Sequence, residues 1–248
     1  MNSPQVIPKI IHRVWFGTKP FPDKFLGFVY GQTHICKEYS SMFWEEENTR
    51  AHFPYMLPSS AEMLSDTRLN PVIKSDILRY EALRLFGGIY LDTDIEVLRN
   101  FDELLSETFF CADEGMDNIG TAVLGCVPYH PLTHAMLLAI YANYLDKGIP
   151  KSPNDQMAFG GPWLFTQTAK RFNVTVLNRQ LLYPFHNPRL PAAIHYFNGG
   201  ESTTGWTKKL SKEKNDTQNH PSDLARQRSD SGASRVFLGR NNQVLQRS

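Results

Sequence analysis

Apolar positions recur at roughly helical spacing through Ile77, Leu78, Leu83, Leu85 and Phe86, stop at Gly87-Gly88, and give way to the apolar run Ile89-Tyr90-Leu91. The pattern predicts a helix of about three turns opening at Ser75, a good N-cap residue, then a glycine stop and a strand. Along an extended chain Tyr90, Asp92 and Asp94 face one side and Ile89, Leu91 and Thr93 the other. Two carboxylates roughly 6–7 Å apart on one side are expensive unless a cation lies beside them, and a divalent ion carrying a phosphate suits them. A turn, or a loop capping a following helix, is the alternative for Asp92 and Asp94.

The rest of the chain alternates strand-like and helix-like stretches. Residues 7–17, IPKIIHRVWFG, read as a buried first strand, ended by Gly17 and the Pro20/Pro22 pair. Residues 23–48 read as an amphipathic helix followed by a strand at Ser40 to Trp44, with Glu45-Glu46-Glu47 as a solvated loop, and residues 59–70 as a further helix. After Asp94 the pattern predicts an extended segment at 95–98, a helical turn at 101–105, and strands at 109–112 and 118–126. A helix from Pro131 to about Leu145 follows, then a loop at Gly160-Gly161-Pro162, a helix over 163–172, and short strands at 174–177 and 181–183. Strands alternating with helices over some 200 residues imply a single Rossmann-like α/β/α sandwich with a mostly parallel central sheet.

Composition then divides the chain. Residues 207–248 hold nine Lys/Arg against four Asp/Glu, whereas residues 1–206 hold seventeen against twenty-one, and residues 207–235 have almost no aliphatic side chains. A catalytic domain over 1–206 and a polar, basic, flexible tail over 207–248 are expected, because the tail cannot bury enough apolar area to offset its ordering entropy. The tail's charge would suit an anionic membrane surface, although a solvated tail is the simpler expectation. A net acidic folded part, with aromatics not interleaved with Lys/Arg, argues against nucleic acid as a partner. Three cysteines without metal-ligand spacing fit free thiols in a reducing cytosol. The N-terminus lacks a signal-peptide pattern and no stretch is long enough to span a bilayer, so a cytoplasmic protein, peripheral at the inner membrane surface if the tail binds there, is expected. The phosphate-cradling loop, the dinucleotide fingerprint and the hydrolase nucleophile elbow are all missing from the sequence.

The stretches IPKIIHRVWFG at 7–17 and SDILRYEALRLFGGIYLDTD at 75–94, in this order and spacing, resemble the DxD-motif sugar transferases of glycosyltransferase family 32. Patchier similarity continues through NIGTAVLG, GGPWLFT, LLYPF and IHYF. The resemblance implies a GT-A-like nucleotide-sugar-binding fold and a retaining glycosyltransferase. Such an enzyme moves a sugar from a UDP- or GDP-sugar to a glycan, lipid-linked saccharide or other hydroxyl acceptor, with Mn²⁺ or Mg²⁺ as cofactor. It implies Asp94 as first metal ligand, Asp92 on the ribose, the sugar hydroxyls or the metal, Asp76 and Arg79 on the donor sugar, Tyr90 beside the nucleotide and Trp15 stacked on its base. Asp92, Asp94 and Arg79 are thus the expected catalytic residues. By the same resemblance His195 is a metal ligand, Ser202 and Trp206 grip the diphosphate, and Asn118 touches the donor sugar, although Trp206 follows His195 at a longer spacing than the family pattern. The residues taken alone also allow a core tryptophan at Trp15, a surface helix pair of Asp76 with Arg79 and a structural His195. At the level of function they allow a DxD phosphohydrolase or a non-catalytic sugar-nucleotide-binding or glycan-binding protein.

Overall fold

A computed structural model describes residues 6–182 and the backbone of 193–195. Among the described residues the strands are β1 (Ile10–Val14), β2 (Ser40–Trp44), β3 (Gly88–Leu91), β4 (Ile95–Val97), β5 (Phe109–Gly115), β6 (Asn118–Cys126), β7 (Thr175–Leu177) and β8 (Ala193–His195). The helices are α1 (Asp23–Ile35), α2 (Glu46–Arg50), α3 (Pro58–Ser65), α4 (Pro71–Phe86), α5 (Pro131–Lys147), α6 (Pro153–Phe159), α7 (Pro162–Ala169) and α8 (Arg179–Leu182).

The main sheet has the order β2-β1-β3-β6-β5-β7. Every neighbouring pair is parallel except the two made by β6, which runs against β3 and β5, so the sheet is the mostly parallel one that the alternating pattern predicts. One face is covered by a core of Ile77, Leu78, Tyr80, Leu83, Leu124, Met136, Ile140 and Phe165, which joins α4, α5 and α7 to the sheet. The other face packs Ile11, Ile89, Leu91, Phe110 and Val123 against Val97, Phe101, Leu104 and Leu182. A small second sheet pairs β4 antiparallel with β8.

The central helix is longer than its sequence pattern suggests. Asn70, not Ser75, is the N-cap: its side chain accepts from the Ile73 amide at 3.0 Å, and Pro71 occupies the first helical position. Ser75 lies inside the first turns, with its hydroxyl donating to the Pro71 carbonyl. The stop at Gly87-Gly88 is as predicted and has a steric cause. Gly88 has φ +92°, and a Cβ there would lie 2.5 Å from the Ile10 carbonyl oxygen, so only glycine lets β3 lie this close to β1.

Other expectations need correction. Glu45-Glu46-Glu47 is not a loop but the start of α2, where the Asn48 side chain accepts from the Glu45 amide at 2.9 Å. Residues 153–159, to which the sequence pattern assigns no element, form α6, capped by Ser152 and Asp155. Leu181 and Leu182 belong to the short α8 instead of a strand, since two leucines at this spacing fit either period. The three cysteines are free and buried.

Candidate active site

The carboxyl ends of β1, β2 and β3 lie at one edge of the sheet, where the ligand crevice of an open α/β sheet is found. At that edge β3 ends at Leu91. The Asp92 amide still donates to the Ala122 carbonyl at 2.8 Å, and the chain then turns, with the Ile95 amide donating to the Asp92 carbonyl at 3.1 Å. Asp92 and Asp94 therefore occupy a β-turn between β3 and β4, not a continued strand. Asp94 is buried, while the Asp92 side chain is 27% exposed.

The structure brings four of the predicted residues together around one guanidinium nitrogen. Nη2 of Arg79 donates to Asp92 Oδ1 at 3.1 Å and to the Tyr90 hydroxyl at 3.4 Å, and forms an ion pair with Asp76 Oδ1 at 3.1 Å. Tyr90 in turn donates to Asp92 Oδ1 at 2.7 Å, and the Arg79 guanidinium lies over the Tyr90 ring, 4.6 Å from its centroid. Asp76 and Arg79 are buried, which excludes the surface-pair alternative. Nε and Nη1 of Arg79 are also buried, with no hydrogen-bond partner among the described residues. Both bonds to the Asp92 carboxylate use Oδ1, leaving Oδ2 outside them.

The electrostatics of this cluster follow from burial. Burial raises the Asp76 carboxyl to about 6, with the Asp92 charge adding and Arg79 opposing. Burial works against the charge of Arg79, but Tyr90, Asp92 and Asp76 outweigh it and keep the guanidinium protonated. Burial likewise pushes the Tyr90 hydroxyl upward, so it remains a neutral donor to Asp92.

The remaining predicted residues are arranged around this cluster. Trp15 follows β1 at the same edge, half-buried. Its indole Nε1 donates to the Lys19 carbonyl at 2.9 Å and its ring meets the edge of Phe21 at 5.4 Å. It is not a fully buried core tryptophan. Asn118 opens β6, paired with Gly115 at the end of β5. The backbone register of β8 sets His195 opposite Ile95, the residue after Asp94. Ser202, Trp206 and the tail from 207 lie outside the described residues. These contain no cluster of three His, Cys, Asp or Glu residues suited to a metal ion.

Arg13 and Gln32 are positioned at the acidic turn without having been expected there. Arg13 is buried on β1, and among the described residues it donates to Gln32 Oε1 at 2.8 Å, the Asp92 carbonyl at 2.7 Å and the Ile95 carbonyl at 2.9 Å. Burial lowers its pKa to about 10, which leaves it charged at neutral pH. A lone arginine in the apolar run of the first strand was the available signal.

Residues 23–111 match the family model described as the glycosyltransferase sugar-binding region containing a DXD motif. The chain is 29% identical over 130 residues to inositol phosphoceramide mannosyltransferase 3 of Schizosaccharomyces pombe, covering 52% of this chain and 36% of that protein. Mannosyl phosphorylinositol ceramide synthase CSH1 of Saccharomyces cerevisiae is 28% identical over 130 residues, 52% of this chain and 34% of that protein. The matched stretch thus spans about a third of the length of these curated relatives. Among solved structures, the PaToxG glycosyltransferase superposes with a TM-score of 0.52 at 17% identity, over 68% of this chain and 70% of that one. The ligand-free glycosyltransferase domain of the YGT toxin gives 0.50 at 12% identity, over 70% and 80%. The fold is therefore GT-A-like, and residues 23–111 are similar to the DXD-containing sugar-binding region of glycosyltransferases.

Proposed function

We propose that this chain is a metal-dependent retaining glycosyltransferase that takes a sugar from a UDP- or GDP-sugar to a hydroxyl acceptor on a glycan or lipid. The observation that carries this reading is Arg79. One of its nitrogens gathers Asp76, Tyr90 and Asp92 beside the acidic turn, while two more buried nitrogens have no acceptor among the described residues. An unsatisfied buried donor costs about 1–3 kcal/mol, and the oxygens of a donor sugar or diphosphate would satisfy it. Asp76 holds Arg79 in place and accepts from a sugar hydroxyl. Trp15, fixed at its indole N–H and along one side by Phe21, offers a base-stacking surface at the same edge.

The donor set fits a hard divalent cation. Mg²⁺ and Mn²⁺ take oxygen ligands, and Mg²⁺ sites commonly use one or two carboxylates with substrate phosphates and water completing the shell. Asp94 and Oδ2 of Asp92 would supply the carboxylates, and the backbone register of β8 supports His195 as a further ligand. When bound, such an ion stabilises the negative charge of the departing diphosphate as a Lewis acid. Arg79 adds a fixed positive charge on the sugar side. The acceptor proton passes to the leaving diphosphate, so no protein nucleophile is assigned. Ser202, Trp206 and Asn118 complete the donor contacts in this reading, and residues 1–206 form the catalytic unit.

The names of the curated relatives make a nucleotide-activated mannose the first donor to try and an inositol phosphoceramide the first acceptor. With Mn²⁺ and a panel of nucleotide sugars, released UDP or GDP is the expected product, and Asp94→Ala should reduce it to near background. Free phosphate in place of nucleoside diphosphate would point to a hydrolase, binding without turnover to a non-catalytic module, and full activity in Asp94→Ala would remove the acidic turn from the site.

A further inference from the structure

One buried charge at this edge is on a side chain to which none of the chemistry above assigns a role. Arg13 carries a full charge in a buried position, and among the described residues its three hydrogen bonds go to neutral oxygens. Burying a cation without a carboxylate in hydrogen-bonding contact is expensive, so its position calls for a compensating arrangement. Two of its nitrogens reach the carbonyls of Asp92 and Ile95, the first and last residues of the turn that carries both aspartates. The Asp92 carbonyl also accepts the bond that closes the turn from the Ile95 amide. The guanidinium fork thus spans the turn at both ends and places a positive charge behind Asp92 and Asp94. Behind Arg13, Gln32 accepts from Nε and donates to Ser41 Oγ at 3.1 Å, tying the fork to α1 and β2. A fork with several donors at fixed angles can hold two carbonyls at once, whereas a lysine ammonium acts as a point charge.

We propose that Arg13 is a positioning residue of the transfer reaction: it clamps the Asp92–Ile95 turn by its two ends and so sets where the two carboxylates meet the cation and the diphosphate. The clamp's part in catalysis rests on the glycosyltransferase reading; the clamp itself does not. In the full chain without ligand, Arg13→Lys should raise hydrogen-exchange rates about tenfold or more over residues 92–97 while leaving residues 10–14 and 40–44 within about twofold. In the assay, transfer should fall on the order of 100-fold, the loss associated with misplacement of about 1 Å. The Mn²⁺ concentration for half-maximal activity should rise about tenfold, which a mere loss of folded protein would not cause. Unchanged exchange over 92–97, a uniform rise across the sheet, or a wild-type Mn²⁺ dependence would overturn the clamp. If the wild type releases no nucleotide from any donor, the glycosyltransferase reading fails and the exchange measurement alone decides the clamp. Should Arg13→Lys not fold, ¹⁵N NMR of the wild type decides it: separate, slowly exchanging Nη resonances are expected, and a single averaged signal would overturn it.

Discussion

At the scale of single residues, the site depends on how one carboxylate oxygen is shared. Oδ1 of Asp92 accepts from both Tyr90 and Arg79, so removing either donor changes the direction of the remaining lone pairs as well as their number. Tyr90→Phe keeps the ring under Arg79 and deletes only the 2.7 Å bond. We expect kcat/KM to fall about tenfold, equivalent to roughly 1.4 kcal/mol, with little change in melting temperature. Steady-state kinetics beside a thermal melt checks this, and wild-type kinetics would mean that the hydroxyl does not orient Asp92. At this scale the sequence was a good guide to residue type. Asp76, Arg79, Tyr90 and Asp92 do meet, because the i, i+3 spacing on a helix and the alternation of a strand are local geometry. Asp94 lies in a turn because the strand ends one residue before Asp92, which no local propensity in the LDTD stretch determined.

At the scale of elements, the junction between α4 and β3 is the tightest point. Gly88→Ala would put a methyl group against the Ile10 carbonyl at a positive φ that side chains rarely adopt. A loss of about 3 kcal/mol or more is expected in a urea titration, together with loss of nucleotide release, because β3 carries the acidic turn. The same junction is latched by His12, fully buried on β1. One ring nitrogen bonds the Gly87 carbonyl at 2.8 Å and the other accepts from the Trp44 indole at 3.1 Å. That pair of bonds fixes a neutral imidazole, and burial lowers its pKa to about 4 although the Gly87 bond opposes the shift. The glycine stop between α4 and β3 was legible from the sequence. The latch was not, since its three partners come from β1, β2 and the end of α4.

At the scale of the whole molecule, His12 makes stability depend on pH. Its folded pKa of about 4 lies below the ordinary value of 6.5, so between these values the unfolded chain binds more protons. Stability is therefore unaffected by this group above about pH 6.5 and falls as the pH drops toward 4, by about 3 kcal/mol in all. Asp76, raised to about 6, acts in the opposite sense, favouring the folded state as the pH falls from 6 toward 4. Urea titrations of the wild type and His12→Gln between pH 4 and 8 separate the two. The variant should lose the acid-side decline, and an unchanged slope would mean that His12 does not stay neutral. A chain ending at Trp206 should keep its melting temperature within about 2 °C and its nucleotide release within about twofold, since the composition of 207–248 gives it little to bury. A tenfold loss of activity would assign part of the site to the tail.

The sequence by itself determined the alternating elements, the helix, glycine and strand unit that leads to the acidic pair, and the residue types gathered there. All of these depend on neighbours within a few positions, where backbone geometry and side-chain size act directly. Only the tertiary structure decided that the acidic pair lies in a turn, that His195 comes to the strand beside it, and that Arg13 holds that turn from below. Arg13 reaches the carbonyls of Asp92 and Ile95 across 79 and 82 positions of chain. An isolated arginine in an apolar run shows that a buried charge must be satisfied, but its partners are backbone carbonyls, which every residue has. Which of them it meets is fixed only when β1 and β3 lie side by side.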